Sequence, residues 1–248
     1  MKKPLKAVLV LLLLAVFGYS VYRIGDYYME KHRSDVIVRE AAQYVRLPQA
    51  EDHEPDDLTR PGSAQEGFQV NFNALWVINK DIVGWLYCPD TPINYPVVQA
   101  ADNEQYLRRL LDGSWNVGGT LFLDYRCASD FTGGNHIIYG HHMKSGAMFG
   151  SLVKYRSQSY YDAHPTMYLA TPDRVYRVEL FAGCTIESAD DIYRSDVTEA
   201  ELEEMIRSST FRADRDIPID GPILMLSTCA YDFDNARYVV LGALIADE

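Results

Sequence analysis

A thiol, an imidazole and a guanidinium occur at the ends of apolar, strand-like segments of this sequence. Cys229 follows ILMLST, His141 follows HIIYG, and Arg237 begins RYVVLGALI. If these strands are neighbours, their ends would bring the three side chains to one rim of a sheet, because strands hold side chains in fixed positions. A thiolate with a proton-transfer group and a cationic hydrogen-bond donor is the set needed for attack on an acyl carbon.

Each of these residues also has a structural explanation. A single Cys in a β-rich protein is most often a small buried hydrophobe, and His141 could cap a turn. Arg237 could form an ion pair with Asp232 or Asp234. A metal site shared by His141 and His142 is disfavoured, because adjacent residues of a strand point to opposite faces.

The other three cysteines are expected to have no part in the chemistry. Cys88 and Cys184 lie within apolar strand-like segments, which indicates inert packing. Cys127 lies in the turn-like segment RCASD and is expected to be the exposed extra thiol. The absence of a C-x-x-C pair argues against a zinc ribbon or a dense disulfide framework.

The N-terminus has the composition of an export signal. Three lysines precede an uncharged, largely apolar run over residues 7–22, and Arg23 follows it. The run is short for a spanning helix, but Lys6 and Arg23 can extend their charges to the two interfaces. Gly18 and Ser20 keep a cleaved signal peptide open as the alternative. We expect an uncleaved single-pass anchor, and the positive-inside rule then places everything after Arg23 outside the cell.

Composition bounds the class of protein. The chain has 248 residues and a formal net charge of −12, with 48% hydrophobic and 23% charged residues. These proportions are close to those of ordinary globular proteins, and they argue against wholesale disorder or a multi-span membrane protein. Nucleic-acid binding depends on Lys and Arg neutralising phosphates, and no basic stripe offsets the acidic excess. Nucleic acid is therefore not expected as a partner.

Three regions are expected along the chain. Residues 1–25 form the basic flank and membrane anchor, and residues 26–67 form a helical stalk followed by an acidic, proline-containing linker. The folded domain is expected to cover residues 68–248, starting with a short helix that places Phe72 and Leu75 on one face.

Strand-like segments dominate this domain. Short β-rich runs bounded by Gly, Pro and Asp favour a β-sandwich or barrel over alternating βαβ units. Two helices are predicted among them: residues 102–111, and a helix after Thr198, which forms a capping-box pattern with Glu201. The expected fold is mainly β with peripheral helices. The strand-like segments are residues 84–87, 93–99, 120–125, 136–140, 166–170, 174–186, 223–228 and 237–245.

Two segments around the candidate residues resemble signatures of the sortase family. Residues 226–240, LSTCAYDFDNARYVV, resemble the Leu-x-Thr-Cys signature, in which an arginine follows the cysteine by eight residues. Residues 135–152, NHIIYGHHMKSGAMFGSL, resemble the stretch in which the sortase histidine directly follows a glycine. Residues 78–107 and 118–135 are similar to the class B branch in particular. The resemblance runs in the family order from about residue 72 to residue 245.

The resemblance implies a fold and a site. The fold is a closed, sortase-like β-barrel with peripheral helices, including an N-terminal helical region and a helix inserted before the last strands. Cys229 would be the nucleophile, His141 the general acid and base, and Arg237 the group that stabilises the oxyanion or the substrate. Ser227 and Thr228 would line the substrate groove. No metal or organic cofactor is expected.

The resemblance also implies an activity. A class B sortase is a cysteine transpeptidase of the Gram-positive cell surface that cleaves a C-terminal sorting motif, of the form Asn-Pro-x-Thr followed by Asn, Gly or Ser, after the Thr. The thioacyl enzyme then passes the acyl group to an amine of peptidoglycan precursor, which anchors the secreted protein to the cell wall. Polymerisation of pilins through a lysine amine, and a non-catalytic surface module with this fold, remain alternatives. The expected partners are thus sorting-motif proteins, an acceptor amine and the membrane.

One departure from the family pattern affects the choice of base. His142 stands where class B members often have Asn. The position directly after Gly140 matches the family histidine, so His141 is assigned as the base and His142 is expected to point away. A papain-like protease is excluded by order, because Cys precedes His in that class and follows it here.

Overall fold

A computed structural model of the chain describes residues 3–47, 67–190, 192–215 and 217–246. Most of the expected linker, residues 48–66, lies outside the described residues. The chain forms a long N-terminal helix, a closed β-barrel and several short helices around the barrel.

The segments expected to form the anchor and the stalk lie in one continuous helix, α1, over Lys3–Ala42. It contains a stretch apolar and long enough to cross a membrane, with a mean hydropathy of 2.0 and none of it buried against the rest of the protein. The end of α1 packs on the barrel, where Ala41 is fully buried. After α1, β1 (Val45–Arg46) pairs antiparallel with β2 (Gln69–Val70). The helix α2 (Phe72–Ile78) follows, and Asn71 caps it by accepting a hydrogen bond from the N–H of Ala74.

The barrel has eight strands in the order β10-β8-β7-β3-β4-β5-β6-β9, and β9 closes it by pairing with β10. Neighbouring strands are antiparallel except for the parallel pairs β4 with β5 and β6 with β9. The strands are β3 (Ile82–Tyr87), β4 (Asn94–Val98), β5 (Leu121–Leu123), β6 (Asn135–Tyr139), β7 (Thr166–Ala170), β8 (Val175–Glu187), β9 (Ile223–Cys229) and β10 (Ala236–Ala246). The predicted mainly β fold, with its closed barrel, is confirmed.

Short helices lie between the strands. A 3₁₀ helix (Leu152–Arg156) and α3 (Gln158–Ala163) connect β6 to β7. The helix α4 (Glu199–Arg207) precedes β9, and Thr198 and Glu201 form the predicted capping box at its start. This helix packs against β8 and buries Leu202 and Met205, which lie three residues apart on its apolar face.

The predicted helix over residues 102–111 is wrong, because this segment forms a series of turns. Asp102 Oδ1 accepts a hydrogen bond from the backbone N–H of Gln105 at 2.8 Å, as an N-cap residue does, but no helix continues from it. Further along, the N–H of Asn116 donates to Arg108 O at 2.9 Å. Backbone groups that a helix would satisfy internally are therefore bonded to the loop that follows.

The interior of the barrel is apolar and closely filled. Side chains from all sides of the barrel meet in one buried cluster, while separate clusters lie under α1 and α2 and under α4. The barrel interior includes Leu86, Val97, Leu121, Ile138, Leu180, Leu226 and Val240, each fully buried. This packing makes the barrel a rigid frame for the strand ends, where the candidate residues lie.

Candidate active site

The nucleophile candidate lies at the end of β9, at the start of a tight turn. Cys229 is the last residue of the strand and is partly exposed, whereas Thr228 before it is buried. The turn closes when the N–H of Ala230 donates to Ala236 O at 2.9 Å, and Asn235 adopts a left-handed conformation with φ of 61°. A short polar side chain such as Asn tolerates this conformation better than most residues.

Arg237 lies directly opposite Cys229, because the two residues are paired in the antiparallel register of β9 and β10. Its Nη1 donates to Ala236 O at 3.0 Å. The possible ion pair with Asp232 is not formed, since Asp232 accepts instead from Arg156, at 3.0 Å from Nη1. Asp234 forms no ion pair with Arg237 in the described part of the chain. Neither of these acids therefore draws the guanidinium away from the end of β9 in the described part of the chain.

His141 follows β6, the other neighbour of β9. The N–H of Gly140 donates to Ser227 O at 3.1 Å, and Thr228 Oγ1 donates back to Gly140 O at 2.8 Å. A Cβ at Gly140 would lie 2.5 Å from Leu121 Cδ2, so glycine allows the chain to pass this close to the barrel wall. These contacts position the backbone of His141 beside the end of β9.

The ring of His141 is held by the loop that replaces the expected helix. Its Nε2 lies 2.7 Å from Leu107 O. Because a carbonyl oxygen only accepts hydrogen bonds, we assign the proton of the neutral ring to Nε2. Burial lowers the pKa of His141, the bond to Leu107 O opposes this shift, and the nearby charge of Arg108 adds to it.

His142 turns away from the cavity described below but not from the nucleophile turn. Its Nδ1 lies 2.9 Å from Cys229 O, and its ring packs against Tyr231 with centroids 5.4 Å apart. The imidazole thus holds the backbone carbonyl of Cys229. The expectation that His142 points away does not hold for this carbonyl, because strand alternation does not apply beyond the end of β6 at Tyr139.

Cys229, His141 and Arg237 line a single cavity of about 490 Å³. Ser227 and Thr228 line it too, although both side chains are almost fully buried. Ser227 Oγ lies 2.9 Å from the hydroxyl of Tyr193 and is therefore part of the wall. The volume is in the range of sites that enclose a small ligand or a short peptide segment.

A buried carboxylate that the sequence analysis did not single out supports one wall of this cavity. Asp124 follows β5 and accepts hydrogen bonds from Arg126 Nε (2.9 Å), Asn103 Nδ2 (2.9 Å) and the Tyr139 hydroxyl (3.0 Å). Burial acts to raise the pKa of Asp124, but these hydrogen bonds outweigh it and lower the pKa to about 2. Asn103, Arg126 and Tyr139 all line the cavity. The sequence signal that could have indicated this site is the pair Asp124 and Arg126, two residues apart directly after an apolar strand.

Two tyrosines form an aromatic surface in the same cavity. The rings of Tyr139 and Tyr193 stack with centroids 6.1 Å apart and an interplanar angle of 17°. Burial raises the pKa of Tyr193 to about 12, although its bond to Ser227 and the charge of Arg237 act against this. Both phenols are therefore neutral at physiological pH and present flat, weakly polar faces.

The remaining cysteines are all buried, which corrects one expectation. Cys88 and Cys184 pack in the interior as predicted. Cys127 was expected to be exposed, but it is only 9% exposed, and its Sγ lies 3.6 Å from Asn135 O. The turn at Asp124 folds Cys127 inward through the bond from its N–H to Asp124 O at 3.0 Å.

Comparison with known proteins agrees with this architecture. The family model of the sortase domain matches residues 86–245. Sortase B of Listeria monocytogenes is 32% identical over 247 residues, covering 96% of this chain and 95% of the relative. Sortase B of Staphylococcus aureus is 30% identical over 245 residues, with 96% and 94% of the two chains covered.

Solved structures of such relatives superpose on the present one. A substrate complex of S. aureus sortase B has a TM-score of 0.66 at 30% identity, and the match covers 71% of this chain and 85% of that one. Sortase B of B. anthracis in complex with AAEK1 has a TM-score of 0.72 at 30% identity, covering 89% of this chain and all of that one. The chain therefore belongs to the sortase family and is a cysteine transpeptidase of the sortase B type.

Proposed function

We propose that this transpeptidase cleaves an Asn-Pro-x-Thr sorting motif after the Thr, at the outer face of the cell membrane, and transfers the acyl group to an amine of peptidoglycan precursor. The observation that carries the proposal is the meeting of Cys229, His141 and Arg237 in one cavity. Each comes from a different element, so the tertiary fold brings together a nucleophile, a proton-transfer group and a cationic donor.

In the acylation step, the thiol of Cys229 passes its proton to His141, and the resulting thiolate forms a bond to the carbonyl carbon of the Thr in the motif. The C–N bond then breaks, and the departing amine takes a proton from His141. In the second step the acceptor amine attacks the thioester carbon and loses a proton to His141, and the C–S bond breaks to restore the thiolate. Atoms and protons balance without a cofactor.

The hydrogen bond to the loop determines which atom of His141 exchanges the proton. With Nε2–H donating to Leu107 O, the free lone pair of the neutral ring is on Nδ1. Nδ1 is therefore the atom that takes up and returns the proton. The lowered pKa of His141 favours its neutral form, which suits the step in which the acceptor amine must be deprotonated.

Arg237 retains donors for the substrate. Both of its hydrogen bonds within the described residues use Nη1, to Ala236 O and Asn235 O. A guanidinium has five N–H donors in a planar fork, so Nε and Nη2 are available for the oxyanion that develops on the Thr carbonyl.

The walls of the cavity suit a short peptide with one proline and polar ends. Tyr139 and Tyr193 offer flat aromatic faces for the proline ring, and the side chain of Asn103 offers an amide for a polar side chain of the motif. Asn103 Nδ2 already donates to Asp124, which fixes the orientation of this amide.

The long apolar helix α1 supports membrane anchoring, as found in the sortase family. We infer that α1 remains uncleaved and spans the membrane once, with the three N-terminal lysines in the cytoplasm and the barrel outside. The active site then meets both the substrate and the cell-wall precursor on the outer side of the membrane.

Intact-mass spectrometry of the full-length protein in detergent micelles tests this proposal. The protein is incubated with Asn-Pro-x-Thr or Leu-Pro-x-Thr peptides, with and without an acceptor amine of the diaminopimelate, glycine or pilin-lysine type. We expect a thioacyl adduct with Asn-Pro-x-Thr peptides and a ligated product only when a cell-wall type amine is present. Product from the pilin-type lysine alone would instead favour pilus polymerisation.

Two cysteine variants control this experiment. Cys229→Ala should form no adduct, whereas Cys127→Ala should form it normally, because Cys127 is buried outside the cavity. Peptide cleavage by a folded Cys229→Ala protein would overturn the assigned nucleophile.

A further inference from the structure

The barrel is attached to α1 close to the point where the helix leaves the apolar run. Asn116 Nδ2 donates to Glu30 O at 2.9 Å. Glu30 follows Arg23, the end of the apolar run, by seven residues, which is about 10 Å of helix at 1.5 Å per residue. The headgroup region on each side of a bilayer is about 5–8 Å thick. In an anchored protein, the loop that carries Asn116 is therefore held at the edge of the lipid headgroups.

This loop exposes a large aromatic side chain. Trp115 directly precedes Asn116 and is 60% exposed. Its backbone is fixed by a β-bridge to Arg109 and by the bond from Leu110 N–H to Ser114 O at 2.9 Å. Trp is enriched where membranes meet water, because the indole has an apolar body and one polar N–H. Neither the proposed mechanism nor the core uses this ring.

Exposed basic residues occur on both of the segments that the Asn116–Glu30 hydrogen bond joins, although the chain as a whole carries a net charge of −12. Arg109 is exposed and paired with Trp115, and Lys31 and Arg33 are exposed on the turn of α1 that follows Glu30. Side chains of a helix lean toward its N-terminus, which here is the membrane side. Basic residues this close to a bilayer are attracted to anionic lipid headgroups.

We propose that Lys31, Arg33, Arg109 and Trp115 form a juxtamembrane surface that rests on the anionic headgroups of the outer leaflet. The proposal rests on the membrane anchoring inferred above. The lipid is the expected occupant because this surface is continuous with α1. If α1 spans the membrane, the helix itself keeps the surface within about 10 Å of the bilayer. The loop also carries Leu107, whose carbonyl contacts His141, so the contact orients the cavity relative to the membrane.

Tryptophan quenching in vesicles tests the contact. Full-length protein is reconstituted in phosphatidylcholine vesicles with or without phosphatidylglycerol, each containing a headgroup-linked quencher. The chain has three Trp residues, so the emission of Trp115 is obtained by subtracting that of Trp115→Phe. We expect Trp115 emission to shift to the blue and to be quenched, and more strongly in the anionic vesicles.

A control probe tests whether any exposed Trp is quenched. Val77 is 86% exposed on α2, which begins beside Tyr44, past the far end of α1. In the Trp115→Phe background, Val77→Trp should show little quenching. Lys31→Gln and Arg109→Gln should each lower the lipid-contact equilibrium of Trp115 by a factor of about five in anionic vesicles.

Flotation of the same vesicles separates the possible failures. If the protein floats with the vesicles but Trp115 is quenched no more than the Val77→Trp probe, the juxtamembrane surface is refuted while the anchoring stands. Equal quenching with and without phosphatidylglycerol refutes the role of the basic residues. A protein that does not float refutes the anchoring and, with it, the surface. Ligation measured in the same samples reports the transpeptidase activity independently.

Discussion

Replacing Asp124 with Asn tests the buried network that supports the cavity wall. Asp124 is fully buried, and its pKa of about 2 lies below the ordinary value of 3.8. At 1.36 kcal/mol per pKa unit, the charged form contributes about 2 kcal/mol to the free energy of unfolding at neutral pH. Asn keeps the shape of the side chain but loses the charge. Its N–H₂ group is a donor, so it cannot accept the hydrogen bonds that one carboxylate oxygen of Asp124 accepts. Asp124→Asn should therefore lower the free energy of unfolding by about 2 kcal/mol.

The pH dependence has a definite sign. Because the folded-state pKa of Asp124 is lowered, its contribution is fully present above the unfolded pKa of 3.8 and is lost as the pH falls through about 2. The difference between the wild type and Asp124→Asn should thus be largest from pH 5 upward and should fall to roughly half at pH 3. Other acids titrate alike in both proteins, so they cancel in the difference.

Urea denaturation followed by circular dichroism at pH 7, pH 5 and pH 3 measures this difference. Asp173→Asn serves as the matched control, because Asp173 is an exposed acid in the turn between β7 and β8. The control should change the free energy of unfolding by no more than about 0.5 kcal/mol. The reasoning would be refuted if Asp124→Asn lowered the free energy of unfolding no more than Asp173→Asn does, or if its effect were as large at pH 3 as at pH 7.

Two further predictions concern the contacts that position the catalytic candidates. Gly140→Ala should reduce the rate of thioacyl formation by about a hundredfold, because the new Cβ would collide with Leu121 and Phe149 and displace His141; peptide kinetics showing an unchanged rate in a folded variant would contradict this. His142→Ala should slow acylation several-fold by leaving Cys229 O without its donor, whereas His142→Asn, which restores an N–H donor, should be almost silent. Equal losses in both variants would argue against the hydrogen bond.

Much of the fold was predictable because the signals are local. Alternation of apolar residues and the positions of Gly, Pro and Asp predicted each barrel strand to within a few residues. The capping box at Thr198 predicted the start of α4, because its hydrogen bonds join residues only three positions apart. The apolar run over residues 7–22 likewise predicted a helix, and this run lies within α1.

The error over residues 102–111 shows where local signals fail. The segment has helix-forming residues, but its backbone groups find partners in residues 114–120, and one carbonyl, that of Leu107, accepts from His141. A helix would have used that carbonyl internally. Propensity differences of a few tenths of a kcal/mol per residue are smaller than such tertiary contacts.

The sequence by itself determined the identity and order of the chemical groups: the thiol, the imidazole and the guanidinium, each at a strand end. Only the tertiary structure decided how they meet. The parallel β6–β9 pairing joins strands that are far apart in the sequence, and the antiparallel β9–β10 pairing places Arg237 opposite Cys229. Only the tertiary structure also decided three further contacts: the hydrogen bonds of the buried Asp124, the burial of Cys127 and the hydrogen bond between His142 and Cys229 O. Burial and hydrogen bonding between distant residues depend on the closed barrel, and no local pattern encodes them.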